Sequence, residues 1–439
     1  MSGRIRSNIL IAILTLAAFA PVAKPAEIPA VLGLKEQSAV YDGWLSARLD
    51  RLLPELMRRE KIDMWLVICQ EYNEDPVYPS LVPFASLSAR RLTVLVMFDR
   101  GGEKGVERFS VNRYGIGSLF PTVWKPGEED QWQVLARAVK ERDPKRIGID
   151  ESDVFAFGDG LSASLKRRLV QALGADHAKR LVGAGRLAVG WLERRLTEEI
   201  EVYHHIAAIA HAIIAEAFSP AVITPGITTA ADVEWWMWEK VRALGQTTWF
   251  NPSVSIQRPS TSPYKDSPVI HRGDLLHCDF GINYLKLNTD TQQHAYVLPA
   301  GETEAPRGLK DAMAQGNRLQ DILLGEMKEG LTGNQILAAA LKRAKDEGLR
   351  PSIYTHPLGF HGHAAGPTIG LWDQQAGVPG AGDYPLFYDT VYSIELNVKA
   401  AVAEWGGQDV QIALEQDAAV TRSGSFFLDR RQTELILIK

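Results

Sequence analysis

Asp279 and Asp290 stand eleven positions apart in GDLLHCDFGINYLKLNTDTQQHAYVL, and each interrupts a run of strand-forming residues. Leu275 and Leu276 precede Asp279, Phe280 and Ile282 follow it, and a second β run from His294 to Leu298 follows Asp290. The pattern predicts a hairpin made of LLHCDFGIN and NTDTQQHAYVL, with Lys286 in the turn. A carboxylate inside an apolar strand is costly to bury without a positive partner. No other Lys or Arg lies close by in sequence, so a bound cation is the simplest counter-charge. Two aspartates alone would equally suit one buried Asp held by backbone amides and one surface Asp in a turn.

Three further segments tip the balance. THPLGFHGHAAGP carries His356, His361 and His363; Glu395 interrupts DTVYSIELNV; Glu415 interrupts DVQIALEQDAAVT. Four carboxylates and at least one imidazole on converging strands form an oxygen-rich set with some nitrogen. Such a set suits Mn, Fe, Co or Zn, usually as two ions. Without metal, four buried acids would repel one another and some would have to keep their protons.

The order Asp, Asp, His, Glu, Glu resembles the pita-bread metallopeptidases, a family that includes methionine aminopeptidase, aminopeptidase P, prolidase and creatinase. The eleven-residue gap, the Gly273-Asp274 turn before it, IEL at 394–396 (resembling IEP) and ALEQDAAVT at 413–421 (resembling IEDxxxVT) carry the likeness. It is close from about 196 to 425 and looser before that. The fold it implies is α/β plus α+β: a creatinase-like N-terminal α/β domain over 35–190, then a pseudo-twofold pita-bread domain over 191–439.

By the same resemblance the metal ligands are Asp279, Asp290, His361, Glu395 and Glu415, with Asp290 and Glu415 bridging two divalent ions. Manganese is the first choice, with Co, Zn or Fe as alternatives. His361 is taken because Gly follows it as in the family pattern, and His363 is the rival and a substrate-binding candidate. Glu395 and His356 are the candidate catalytic residues. The implied chemistry is amide hydrolysis by water activated between the ions, with Glu395 moving its proton. The target is an N-terminal Xaa-Pro or related bond. The sequence departs from the family at Ser262, where a substrate-binding His is usual, and at Leu396-Asn397, which replace Pro-Gly. The family's second His, counted seven residues from His361, falls on Thr368 or Gly370. These departures keep a second reading open, a creatinase-like amidinohydrolase or lyase acting on a small molecule. A non-catalytic binding module is a third, opposed by the cost of keeping unused buried acids.

The rest of the chain frames the site. Its 439 residues predict two or three domains, and a formal charge of −5 implies no general nucleic-acid binding. Arg4 and Arg6 ahead of the apolar stretch Ile9 to Ala20 read as a signal peptide over 1–26. The protein is therefore expected in the periplasm or secreted, with an uncleaved membrane anchor as the alternative and no membrane span in the mature chain. Cys69 and Cys278 read as small buried apolar residues rather than a disulfide. Tyr41 to Ile62 reads as an amphipathic helix interrupted at Pro54, and 183–191 as a linker. Residues 225–245 and 329–348 look like two copies of one unit, with Thr228 and Thr332 as N-caps and Gly245 and Gly348 ending the helices. Thr197 reads as the cap of a long helix whose His204, His205 and His211 are structural. A peptide or small molecule is the expected partner, and a homodimer the assembly the resemblance implies.

Overall fold

The computed structural model describes residues 28–363 and 365–439, so the expected leader lies outside the described residues. The N-terminal region is built on a five-stranded mixed sheet of β1 (Met64–Gln70), β2 (Leu92–Asp99), β3 (Val106–Ser110), β4 (Ile147–Ile149) and β5 (Leu181–Gly183) in the order β3-β2-β1-β4-β5. MWLVIC in β1 is buried on both faces, and strand alternation splits it between two cores. Met64, Leu66 and Ile68 meet Leu135 and Val139 of helix Gln131–Arg142 and Leu165 and Leu169 of helix Ala163–Ala178. Trp65, Val67 and Cys69 join a larger cluster that also takes in the N-terminal helices and the second region.

The amphipathic run is one continuous helical path, Leu34–Ala47, Arg48–Leu52 and Leu53–Arg59. Its middle segment is a π turn placed just before Pro54, which sits in the first turn of the last segment. Proline there has no amide to donate, and the wider turn removes the need for one. The segment expected to be a linker is instead a helix, Gly185–Glu193, buried along nearly its whole length. Gly190 permits this: a Cβ there would run into Arg59 and Leu56.

The second region begins with helix Thr197–Ala217, whose N-cap is Leu196 rather than Thr197; the Glu199 carboxylate accepts the Leu196 amide. Helix Ala230–Ala243 follows, and its cap is Thr229, one residue beyond the expected Thr228, in a reciprocal box with Asp232. Strands β6 (Ser253–Gln257), β7 (Leu275–Phe280) and β10 (Thr291–Val297) then pair antiparallel in turn. The unit repeats: helices Arg307–Glu326 and Gly333–Asp346, the latter capped by Thr332, lead to β11 (Pro351–Ile353), β14 (Leu396–Val402) and β15 (Gln408–Leu414). Gly245 and Gly348 have φ of +72° and +79°, the left-handed geometry that ends a helix on glycine. The two half-sheets meet at a bridge between Gln292 and Glu415.

The predicted hairpin is present, with Asp279 opposite Gln292 in the β7–β10 register. A short ribbon, β8 (Asn283–Tyr284) and β9 (Leu287–Asn288), extends between them and turns at Leu285 and Lys286, both at positive φ. A third sheet, β12 (His356–Leu358), β13 (Thr390–Ser393), β16 (Asp417–Thr421) and β17 (Gly424–Phe427), lies beside the seam, and β18 (Ile436–Ile438) edges β10. No described helix is long and apolar enough to cross a membrane.

Candidate metal centre and active site

Each half of the fold delivers ligand-type side chains to one place. Asp279 comes from β7 and Asp290 from the residue before β10; Glu395 lies between β13 and β14, and Glu415 between β15 and β16. His356 opens β12, and its pairing with Ser393 on β13 carries it to the same point. Two trios have ligand atoms within 4.8 Å of one another: Asp279, Asp290 and Glu415, and His356, Glu395 and Glu415. Glu415 is common to both. A third group joins Asp290 and His356 to His363.

The electrostatics of the cluster are unbalanced as it stands. Burial, and then the charge of Glu415, pushes the Asp279 carboxyl up to about 8. The same two forces in the same order raise Asp290 and Glu395 well above the ordinary carboxylate range. Among the described residues no Lys or Arg forms an ion pair with any of the four. Asp279 Oδ1, Asp290 Oδ1 and His356 Nε2 are buried without a hydrogen-bond partner. The His356 contacts are the most telling. Nδ1 faces the Pro357 carbonyl at 3.2 Å and donates to it, so in the neutral ring the lone pair lies on Nε2. That lone pair points at Asp290 Oδ2 and Glu415 Oε1, both 3.6 Å away. A nitrogen lone pair aimed at carboxylate oxygens is repulsive unless a cation or a proton lies between them. The donor set therefore fits divalent metal, with His356 already held in the tautomer a ligand requires.

The structure does not bring His361 to the carboxylates, contrary to the sequence reading. Five residues beyond His356, it has left the strand and lies in a bend that faces the N-terminal region. Its ring stacks on Phe157 with centroids 4.4 Å apart, and Nε2 is 3.3 Å from the Pro76 carbonyl. His356, assigned a catalytic role from sequence, stands where the metal-set imidazole is needed. His363 lies 4.7 Å from His356, ring centre to ring centre and perpendicular. It is backed by Trp249 at 4.8 Å, and burial followed by the His356 ring lowers its pKa to about 4. The spacing that resolves the two histidines was in the sequence: counted from His356, the residue seven positions on is His363.

Two participants were missed. Asp417, two positions after Glu415 in the same apolar run, is buried and accepts the Asp290 backbone amide at 3.2 Å. A third acid in one apolar strand was the available signal. Gln292, buried opposite Asp279, donates Nε2 to Glu395 Oε1 at 2.9 Å and Glu415 Oε2 at 2.7 Å. No local pattern marks it. Ser262 belongs to a loop turn, its hydroxyl accepting the Tyr264 amide, and His271 stacks on Tyr264. On the long helix His205 meets the Ala30 carbonyl, His211 meets Asp429, and His204 stacks on Phe426. Cys69 and Cys278 are both free and buried.

Residues 201–422, just over half of the chain, match metallopeptidase family M24, and the chain belongs to that family. It is a metal-dependent peptidase by class. The whole two-region arrangement is shared with solved structures of low identity. The X-Pro aminopeptidase of Thermotoga maritima MSB8 is 19% identical with a TM-score of 0.62, covering 87% of this chain and 99% of its own. The Xaa-Pro dipeptidase of Bacillus anthracis is 18% identical with a TM-score of 0.58, covering 92% and 100%. The prolidase of Pyrococcus horikoshii OT3 is 16% identical with a TM-score of 0.58, covering 88% and 98%. These likenesses establish the pita-bread fold with an N-terminal domain. No curated protein matches the chain.

Proposed function

We propose that this protein hydrolyses Xaa-Pro or related N-terminal peptide bonds with two divalent ions. The observation that carries the reading is the pair of ligand trios sharing Glu415, with three buried lone-pair atoms left without partners. Asp279, Asp290 and Glu415 would hold one ion, and His356, Glu395 and Glu415 the other. When bound, such a pair acidifies a coordinated water and polarises a carbonyl. The chain's own residues supply the rest. Glu395, with one oxygen fixed by Gln292, is the group placed to take a proton from water and return it to the leaving nitrogen. His363 can donate a hydrogen bond to substrate beside the Trp249 wall. Asp417 fixes the Asp290 backbone.

Manganese as the resident metal is favoured by four hard carboxylates against one or two imidazoles. Export rests on the Arg4/Arg6 and Ile9–Ala20 pattern, and a homodimer on the family resemblance. The test is an assay of chelated protein against Xaa-Pro dipeptides and Xaa-Pro-extended peptides, with Mn(II), Co(II) or Zn(II) restored. Metal-restored cleavage that drops at least 100-fold in Glu395→Gln is expected. Two bound ions with no cleavage of any Xaa-Pro bond would refute the substrate assignment and point to a small-molecule hydrolase.

A further inference from the structure

Gln292 has no part in the hydrolytic reading beyond its contact with Glu395, yet it is among the most constrained polar groups in the molecule. Its backbone amide donates to the Glu415 carbonyl at 3.1 Å, and the Glu415 amide answers at 3.4 Å, so it sits on the seam between the half-sheets. Its side chain turns into the carboxylate cluster. The atom facing Glu395 and Glu415 is the amide nitrogen, each of its two hydrogens serving one glutamate. The amide oxygen then faces the other way, 2.8 Å from His277 Nε2. That oxygen accepts, so His277 carries its proton on Nε2, and Nδ1 faces the Ser255 hydroxyl at 3.4 Å. The path Ser255, His277, Gln292 thus runs from the edge strand β6 across β7 and ends on two members of the His356–Glu395–Glu415 trio. It touches the Asp279–Asp290–Glu415 trio only through the shared glutamate.

We propose that Gln292, aimed by His277, is a positioning residue for one half of the metal centre, holding Glu395 and Glu415 at the separation that half needs. The proposal rests on the two-ion reading above. Two buried glutamates with no cation between them repel, and a neutral group with two hydrogens is the smallest bridge that satisfies both. Without it no side-chain donor bridges the two glutamates, and their separation has to be re-formed before an ion can enter. The His277 bond fixes the amide's orientation. Groups that hold metal ligands in this indirect way typically govern 10–100-fold in affinity.

The test is Co(II) titration of the metal-depleted full chain, followed by calorimetry and by visible absorption of the bound ion. The wild type should bind in two steps. Gln292→Met, nearly isosteric and without donors, should weaken one step about 10–100-fold and leave the other within about twofold. His277→Phe leaves every glutamate contact in place and should weaken the same step by less, which keeps the proposal testable if Gln292→Met does not fold. In the double variant His277→Phe should add nothing, because it acts through Gln292. Unchanged binding in Gln292→Met overturns the proposal, as does equal weakening of both steps, or a full additional loss from His277→Phe in the double variant. Failure of the wild type to bind Co(II) at all would refute the two-ion reading itself, and is read before any variant is made.

Discussion

Stripping divalent cations should invert the pH dependence of this protein's stability. In the metal-free fold the Asp279 carboxyl is raised from 3.8 to about 8 by burial and by Glu415, and Asp290 and Glu395 move the same way. A carboxyl whose folded value lies above its unfolded value keeps its proton when the unfolded chain has released it. The folded state is therefore favoured below about pH 4, and that advantage is lost as pH climbs toward 8. Each pH unit is worth about 1.4 kcal/mol, so Asp279 alone withdraws on the order of 5 kcal/mol across the window. That rivals the whole stability of an ordinary domain, about 5–15 kcal/mol. Bound cations remove the penalty by making the ionised form the stable one, and binding must then expel protons. Calorimetric melting of chelated protein from about pH 5 to 8.5 should show Tm falling by on the order of 10 °C. Restored Mn(II) should flatten the profile. Titration at about pH 6.5 in buffers of different ionisation enthalpy should count at least one proton released per protein. A chelated protein whose Tm is level across this range, with no protons released on metal binding, would show that the buried acids are not held protonated by one another.

Two substitutions separate the histidines. His356→Ala should abolish one of two binding steps and reduce turnover at least 100-fold. His361→Ala should leave metal content unchanged and cost about 1–2 kcal/mol through the lost Phe157 stack; metal lost from His361→Ala would reverse the assignment. Away from the site, Glu199 is buried between Arg48, at 2.8 Å, and Arg195, at 3.5 Å. Glu199→Ala should destabilise by about 3–5 kcal/mol in chemical denaturation by leaving two buried guanidiniums unpaired, and a change under about 1 kcal/mol would contradict that.

The carboxylates were legible because a strand of Val, Ile and Leu leaves a charged residue conspicuous, and because Asp279 and Asp290 belong to one local hairpin. The duplicated helix-and-strand unit was legible for a similar reason, since capping residues and terminal glycines act within a few positions. What could not be read was set by contacts between distant segments. His361 is drawn from the cluster by Phe157 and Pro76, more than 200 positions earlier, and nothing in THPLGFHGHAAGP records that attraction. The helix Gly185–Glu193 passed for a linker because its glycines weaken helix propensity, yet one of them, Gly190, is what allows it to pack closely on Leu53–Arg59. Gln292 gave no signal because an amide between two acids is needed only when both halves of the fold are assembled.

The bend after β12 links the N-terminal region to the carboxylate cluster of the second region. Phe360 lies against the Arg48 and Arg195 guanidiniums, 5.1 and 4.8 Å from its ring centre, and Arg48 belongs to the first helical run. His361 is held by Phe157 and Pro76, and Gly362 lies so close to Trp249 that a Cβ would not fit. Phe360 and His361 are thus held in part by the N-terminal region and Gly362 by Trp249 of the second region, and the next residue is His363. His356, by contrast, is fixed by strand pairing inside the second region. His356 and His363, seven positions apart, are therefore anchored by different contacts. The carboxylates and His356 are placed by strands of the second region, whereas the bend that leads to His363 also packs against the N-terminal region.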